Sequence, residues 1–239
     1  MAVDGNQGSG SSGNLARQGR LAARVRKPLV DNPRRGALPL GPDGSPEGLV
    51  YVPVGYRADQ PAPLVVMLHG ARGDAKESLG LLQKLADARG LLLVAPKSRG
   101  LTWDMLLEGF GPDVVALEHA LTWVFLRYCV DPERVAIGGF SDGASYALSL
   151  GLTNGDLFTH VLAFSPGFAA PKVRHGKPRI YVSHGTRDAV LRIDACSRRL
   201  VPRLQAEGHE VLYREFDGPH TVPGELTREA VEWFAPAPA

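Results

Sequence analysis

From about residue 64 onward, short apolar runs alternate with longer segments whose apolar residues recur at helical spacing. An apolar run of about four to eight residues between turn residues is typical of a buried strand. Strands are predicted over Leu64–His69, Leu91–Pro96, the run that starts at Arg134, His160–Phe164, Arg179–His184 and Glu210–Phe216. Helices are predicted over Lys76–Arg89, Asp113–Tyr128, Ala144–Leu150, Asp194–Glu207 and Pro223–Phe234. This alternation predicts an α/β fold with a mostly parallel central sheet and helices on both faces.

The first 47 residues follow a different pattern. Met1–Asn14 is rich in glycine and serine and is predicted to be flexible, Leu15–Arg26 is predicted to form a short basic helix, and Pro28–Pro46 is rich in proline and glycine. Residues 1–35 hold seven basic and two acidic residues, a net charge of +5, while the rest of the chain carries −3. We expect a solvated basic arm over residues 1–47 and no nucleic-acid partner, because no interleaved aromatic residues are present to stack on bases.

The catalytic domain is predicted to occupy residues 48–239, beginning with a strand over Gly48–Val54 that Pro53 places at a sheet edge. With 239 residues, 44% of them hydrophobic, the chain can bury a sizeable core. No apolar run approaches the roughly 18 residues of a membrane span. The two cysteines, Cys129 and Cys196, lie in separate segments and are expected to be thiols, which favours a cytoplasmic location. A trimmed secretion signal would leave no trace in the sequence.

A G-x-S-x-G sequence, Gly139-Phe140-Ser141-Asp142-Gly143, joins the strand after Arg134 to the next predicted helix. The two glycines allow a strand and a helix to approach around a strained turn. In this context the turn holds the Ser141 hydroxyl above the sheet edge, at a helix N-terminus. We therefore take Ser141 as the candidate nucleophile.

A serine hydroxyl needs a neighbouring base, and the base needs a group that orients it. His220 follows the last predicted strand and is the candidate base, while Asp188 follows the strand ending at His184 and is the candidate acid. The order serine, acid, histidine is that of α/β-hydrolases. The rival acids are Asp194, which is expected to cap a helix, and two residues close to His220 in sequence, Glu215 and Asp217.

The reaction of an ester with a serine also needs N–H donors for the developing oxyanion. The backbone N–H of Asp142, just after the nucleophile, is one candidate. The second is expected from the loop after His69-Gly70, with Ala71 as the first choice and Arg72 as the alternative.

Together these residues resemble a known family. Four motifs carry the resemblance: Leu68-His69-Gly70-Ala71, the Ser141 pentapeptide, Gly185-Thr186-Arg187-Asp188 and Gly218-Pro219-His220. They are similar to motifs of α/β-hydrolases of the phospholipase/carboxylesterase branch, and of polyhydroxybutyrate depolymerase-like esterases. The resemblance covers Gly48 to Phe234 and implies ester substrates and an acyl-enzyme mechanism. Related branches carry a second small residue where Arg72 stands, which leaves the second oxyanion donor open.

The sequence leaves little length for a cap domain, so we expect an open site for short to medium acyl chains, with no metal or organic cofactor. The candidate substrate contacts are Trp103, Phe140 and Phe168, and a small ester is the expected partner.

An acyltransferase, a peptidase or a polyester depolymerase could use the same residues. A non-catalytic binding protein on the same scaffold is a further alternative. The oligomeric state is open, with a homodimer as one option.

Overall fold

A computed structural model describes residues 8–29, 34–41 and 48–236. The strands are β1 (Gly36–Pro39), β2 (Gly48–Val52), β3 (Ala62–Leu68), β4 (Leu92–Pro96), β5 (Val130–Phe140), β6 (His160–Phe164), β7 (Arg179–Gly185) and β8 (Val211–Phe216). The α-helices are α1 (Gly8–Arg17), α2 (Ala75–Arg89), α3 (Pro112–Phe125), α4 (Asp142–Thr153), α5 (Ser197–Ala206) and α6 (Gly224–Phe234). A 3₁₀ turn covers Asp104–Leu106. These elements confirm the predicted alternation of strands and helices.

The strands form one eight-stranded sheet in the order β1-β2-β4-β3-β5-β6-β7-β8. β2 is antiparallel to both of its neighbours, and all other neighbouring strands are parallel. The carboxyl ends of β3, β5, β7 and β8 therefore meet along one edge of the sheet, which we call the carboxyl edge. The candidate catalytic residues and oxyanion donors all follow the ends of these four strands.

Helices cover both faces of the sheet, as predicted. In the central strand β3, Leu64, Val66 and Leu68 pack into the core cluster that includes α3, α4 and α5. The intervening residues Val65 and Met67 pack against α2 and α6 on the opposite face. Because side chains alternate along a strand, a strand buried on both faces is apolar throughout, which explains the continuous apolar runs in the sequence.

Turn chemistry sets the ends of α2. The Asp74 carboxylate accepts hydrogen bonds from the backbone N–H groups of Lys76 and Glu77, which would otherwise have no partner in the first turn. Gly90, predicted to end this helix, adopts the left-handed conformation with φ of 62° and donates to the Ala86 carbonyl.

Two predictions for the first part of the chain were wrong. Residues 48–54 were expected at a sheet edge, but β2 lies between β1 and β4, and β1 lies within the proline- and glycine-rich segment Pro28–Pro46. Pro53 is compatible with this position because it follows the last residue of β2. The basic helix expected over Leu15–Arg26 is also displaced, since α1 ends at Arg17.

Part of the predicted arm packs on the domain. Leu21 and Ala23 are buried, and the side-chain amide of Asn154 accepts from the Leu21 N–H and donates to the Gly19 carbonyl. The Arg20 guanidinium forms a two-pronged ion pair with Asp156 at the end of α4. The domain boundary at residue 47 stays a prediction, because these contacts attach residues on its amino-terminal side to α4.

Within the described ranges, no helix is both long enough and apolar enough to cross a membrane. The connection between β6 and β7, residues 165–178, contains no helix in the structure, so the space above the carboxyl edge is not covered from this side. Cys129 and Cys196 are free thiols.

Candidate active site

Ser141 occupies a sharp turn between β5 and α4. Its backbone lies at φ 58° and ψ −120°, a conformation that costs a non-glycine residue about 1–3 kcal/mol. The flanking glycines make the turn possible, because a Cβ on Gly139 would lie 2.5 Å from the Gly143 carbonyl atoms and one on Gly143 would lie 2.3 Å from the Leu68 oxygen. The turn therefore brings strand and helix closer than any side chain would allow.

The structure brings Ser141, His220 and Asp188 together in one hydrogen-bonded series. Ser141 Oγ lies 2.8 Å from His220 Nε2, and His220 Nδ1 lies 2.5 Å from Asp188 Oδ2. In the arrangement that satisfies both contacts, the hydroxyl donates to Nε2 and Nδ1–H donates to the carboxylate. The three side chains come from the ends of β5, β7 and β8, as the strand order requires.

The Asp188 carboxylate is held by its own turn. Its Oδ1 atom accepts from the N–H groups of Val190 at 2.9 Å and Leu191 at 2.8 Å, while Oδ2 faces His220. Burial opposes ionisation of this carboxyl, but the hydrogen bonds from His220, Leu191 and Val190 outweigh it and lower its pKa. Asp188 is therefore ready to stabilise a positive charge on His220.

The rival acids are engaged elsewhere. Asp194 and Glu215 both pair with Arg198, at 2.8 and 2.6 Å, and Asp217 pairs with Arg187 at 2.7 Å. Asp194 does not cap α5 as expected, since the N-cap position is Cys196 and no side chain caps that end. None of these carboxylates contacts His220 in the described part of the chain.

Two backbone N–H groups beside Ser141 have no acceptor among the described residues, those of Ala71 and Asp142. The Arg72 N–H, by contrast, donates to the Leu101 carbonyl at 2.6 Å. The loop holding Ala71 approaches the nucleophile closely, because a Cβ on Gly70 would lie 3.5 Å from the Ser141 Cβ. This pattern favours Ala71 over Arg72 as the second oxyanion donor.

The loop after β3 is held by buried hydrogen bonds. His69 donates from Nδ1 to the Gly70 carbonyl at 2.8 Å and accepts the Ser98 N–H at Nε2, at 3.0 Å. The Trp103 indole N–H donates to the His69 carbonyl at 2.9 Å. Arg72 stands at φ 60°, so the loop stores backbone strain that these contacts balance.

The three predicted substrate contacts have different environments. Trp103 is 2% exposed and stacks on Tyr146, so it supports the loop and offers almost no surface to a ligand. Phe140 lies against the His220 ring, with centroids 4.6 Å apart. Phe168 is 39% exposed, on the segment that Ser145 Oγ holds through the Gly167 N–H. Burial thus argues against Trp103 and is compatible with Phe140 and Phe168.

Two residues near the site were missed from the sequence. Ser145, one turn into α4, donates to the Ser141 carbonyl at 3.2 Å while accepting from Gly167. His184 is buried at the end of β7, with Nε2 lying 3.2 Å from Asp188 Oδ2. A histidine ending a strand four residues before the candidate acid was the available signal for His184, whereas nothing in the pattern distinguishes Ser145 from a core serine.

Comparisons with known proteins support the α/β-hydrolase fold and the phospholipase/carboxylesterase branch. A family model described as Phospholipase/Carboxylesterase matches residues 116–232. The chain resembles the crystal structure of a thermostable esterase at 25% identity, with a TM-score of 0.64 and coverage of 78% of this chain and 57% of the other.

Two further structures share the fold. Esterase PE8 is 23% identical with a TM-score of 0.61, covering 78% of this chain and 96% of its own. A phospholipase/carboxylesterase from Dyadobacter fermentans is 20% identical with a TM-score of 0.56, covering 83% and 97%. No curated protein matches the sequence significantly.

Proposed function

Because the chain is an α/β-hydrolase of the phospholipase/carboxylesterase branch, we propose that it is a serine carboxylesterase acting through an acyl intermediate on Ser141. His220 is the general base and Asp188 the orienting acid. The observation that carries the proposal is the continuous series of hydrogen bonds from Ser141 Oγ through His220 to Asp188. Ser141 also lies in a strained turn between a strand and a helix, which is the structural context in which a G-x-S-x-G sequence carries a catalytic serine.

In the first half of the reaction, His220 Nε2 takes the Ser141 proton while Oγ attacks the ester carbonyl carbon. The carbonyl oxygen becomes an oxyanion that accepts hydrogen bonds from the free N–H groups of Ala71 and Asp142. The positive charge on His220 is stabilised by Asp188, whose lowered pKa keeps it ionised. When the tetrahedral intermediate collapses, the His220 proton passes to the departing alkoxide, and the alcohol leaves.

In the second half, His220 takes a proton from water while the water oxygen attacks the acyl carbon. The same N–H groups receive the oxyanion. Collapse breaks the bond to Ser141 Oγ, which regains its proton from His220, and the carboxylic acid leaves. His220 carries out every proton transfer in this cycle, and the backbone N–H groups only donate hydrogen bonds to the oxyanion.

The preference for short to medium acyl chains belongs to the same proposal. The connection from residue 165 to residue 178 carries no helix over the site, Phe140 packs against the His220 ring, and Phe168 offers exposed apolar surface on that connection. A short acyl chain can be covered by such surface, whereas a long one would extend into water and gain little from further burial. A cytoplasmic location, for which the free thiols Cys129 and Cys196 argue, is also proposed.

The test is hydrolysis of p-nitrophenyl esters of increasing acyl length by the wild type and by Ser141→Ala. We expect turnover that is highest for short chains and is abolished in the variant, together with labelling of the wild type alone by a fluorophosphonate. Ser165→Ala is the matched control, because Ser165 also has positive φ and directly follows the neighbouring strand β6, but its buried hydroxyl has no partner among the described residues. An inactive wild type that also resists the fluorophosphonate would overturn the proposal.

A further inference from the structure

The buried side chain of His184 joins three segments behind the acid. The ring lies at the end of β7 with 0% exposure. Its Nε2 atom is 2.7 Å from the Leu191 carbonyl and 3.2 Å from Asp188 Oδ2, and its Nδ1 atom is 2.7 Å from Ser197 Oγ at the start of α5. The strand, the turn that carries the acid and the following helix therefore meet at one ring.

The partners determine where the ring proton lies. The Leu191 carbonyl can only accept, so Nε2 carries the hydrogen and donates it to that oxygen, with the Asp188 carboxylate 3.2 Å from the same nitrogen. Nδ1 then accepts from the Ser197 hydroxyl, which is also fully buried. Burial lowers the His184 pKa, in agreement with a neutral ring.

The contacts around Asp188 show what this ring adds. Val190 and Leu191 donate their backbone N–H groups to Oδ1, leaving Oδ2 to face His220. His184 Nε2 lies 3.2 Å from Oδ2 and donates to the carbonyl of Leu191, so Leu191 is held at its carbonyl by His184 and at its N–H by Asp188. A carboxylate with donors on both oxygens has little freedom to rotate away from the imidazole.

We propose that His184 is a positioning residue for the hydrolytic reaction, holding the Asp188 carboxylate and the Leu191 carbonyl in the orientation that keeps His220 aligned with Ser141. This inference rests on the proposed function, because it needs an ester reaction in which Asp188 orients His220. His184 touches neither the nucleophile nor the reacting ester in this role. Its effect reaches the chemistry only through Asp188.

The role predicts a loss in kcat rather than in substrate binding. If the carboxylate turns, His220 is held less often in the productive orientation, and small misplacements of catalytic groups cost up to about a hundredfold in rate. His184→Leu introduces an apolar side chain of similar bulk and removes the ring's contacts with Leu191, Asp188 and Ser197. We expect kcat to fall by about ten- to a hundredfold with KM within about twofold of the wild type.

Two variants separate positioning from simple packing. His184→Gln keeps an N–H donor near the place of Nε2, and we expect it to restore kcat to within about fivefold of the wild type. His209→Leu is the matched control, because His209 is also buried and bonded to a carbonyl, that of Pro178, but lies at the amino ends of β7 and β8. It should leave kcat unchanged even where it lowers the melting temperature.

The experiment measures kcat, KM and melting temperature of all variants on the best p-nitrophenyl ester. A folded His184→Leu with wild-type kcat, or a His184→Gln as slow as the leucine variant, would overturn the inference while an active wild type upholds the proposed function. If His184→Leu does not fold, the kcat of Ser197→Ala tests the inference instead. A kcat reduced about threefold or more supports the role, and an unchanged kcat overturns it. An inactive wild type would instead refute the proposed function itself.

Discussion

Buried histidines lie at both edges of the sheet, but their surroundings differ. At the carboxyl edge, His69 and His184 each use both ring nitrogens to hold loops that carry candidate catalytic groups. At the opposite edge, where the parallel strands begin and which we call the amino edge, His160 contacts Thr159, its sequence neighbour, and Arg179, and packs against the rings of Trp233 and Phe234. The first pair therefore holds the loops that follow β3 and β7, whereas His160 fills a place between the sheet and α6.

The backbone explains why the two edges differ. The described chain has three non-glycine residues with positive φ, namely Arg72, Ser141 and Ser165, and they follow β3, β5 and β6 at the carboxyl edge. Each such residue costs free energy and persists only if its surroundings hold it in place. Neutral buried rings are suited to this task, since they donate and accept hydrogen bonds without introducing a charge. At the carboxyl edge, side chains thus stabilise loops that are not held by hydrogen bonds between strands.

The largest expected difference between the edges is catalytic. His220→Ala removes the proposed base, and we expect kcat for a short p-nitrophenyl ester to fall by about 10⁴-fold or more. His209→Gln, at the amino edge, should leave kcat within about twofold. Steady-state kinetics on the two purified variants makes the comparison, and equal losses in both would contradict it.

The oxyanion loop gives the next largest effect. Ala71→Pro removes the N–H assigned to the oxyanion, so kcat should fall by about 10²–10³-fold. Arg72→Gly is the matched control, because it keeps the N–H that bonds Leu101 and suits the φ of 60°. We expect it to be active and as stable as the wild type or more so. Full activity in a folded Ala71→Pro would assign the second donor elsewhere.

Close packing at the Ser141 turn predicts that enlarging one of its glycines lowers the free energy of unfolding. In Gly143→Ala the new methyl would lie 2.3 Å from the Leu68 oxygen and 2.5 Å from the His69 oxygen, both in the backbone. The free energy of unfolding should fall by about 3 kcal/mol or more. Gly80→Ala, in α2 with nothing within 4 Å of the added carbon, should raise it by about 0.5–1 kcal/mol. Urea denaturation measures both, and a Gly143→Ala as stable as the wild type would disprove the close contact.

The amino edge should respond to pH. Burial lowers the pKa of His160 from 6.5 to about 4, and the nearby Arg179 adds to the shift. Because the unfolded chain takes up this proton first as pH falls, the stabilisation is complete above pH 6.5 and is lost between about pH 6.5 and 4. His160→Gln should reduce that loss by about 1–3 kcal/mol. The check is the unfolding free energy of both proteins at pH 7 and 4.5, and parallel losses would exclude His160 as a cause.

Much of the carboxyl edge was predictable, because strands and parallel connections bring strand ends to one side. The apolar runs located β3 to β8 to within a few residues, with β5 starting earlier, and the residues after β5, β7 and β8 include Ser141, Asp188 and His220. The amino-terminal part was predicted less well. β1 is a short strand whose residues alternate between half-buried and exposed, so it has no apolar run of its own and exists through pairing with β2.

The sequence by itself determined the order of strands and helices, the two glycines that flank Ser141 in its turn, and the residue types available at each strand end. These depend on local periodicity and on which residues a turn can accept. Only the tertiary structure decided that Trp103 is buried, that the Arg72 N–H is occupied while that of Ala71 is free, and that His184 reaches Asp188, Leu191 and Ser197. Such contacts depend on how loops pack across the sheet edge, because a hydrogen bond requires its donor and acceptor within about 3 Å and well aligned.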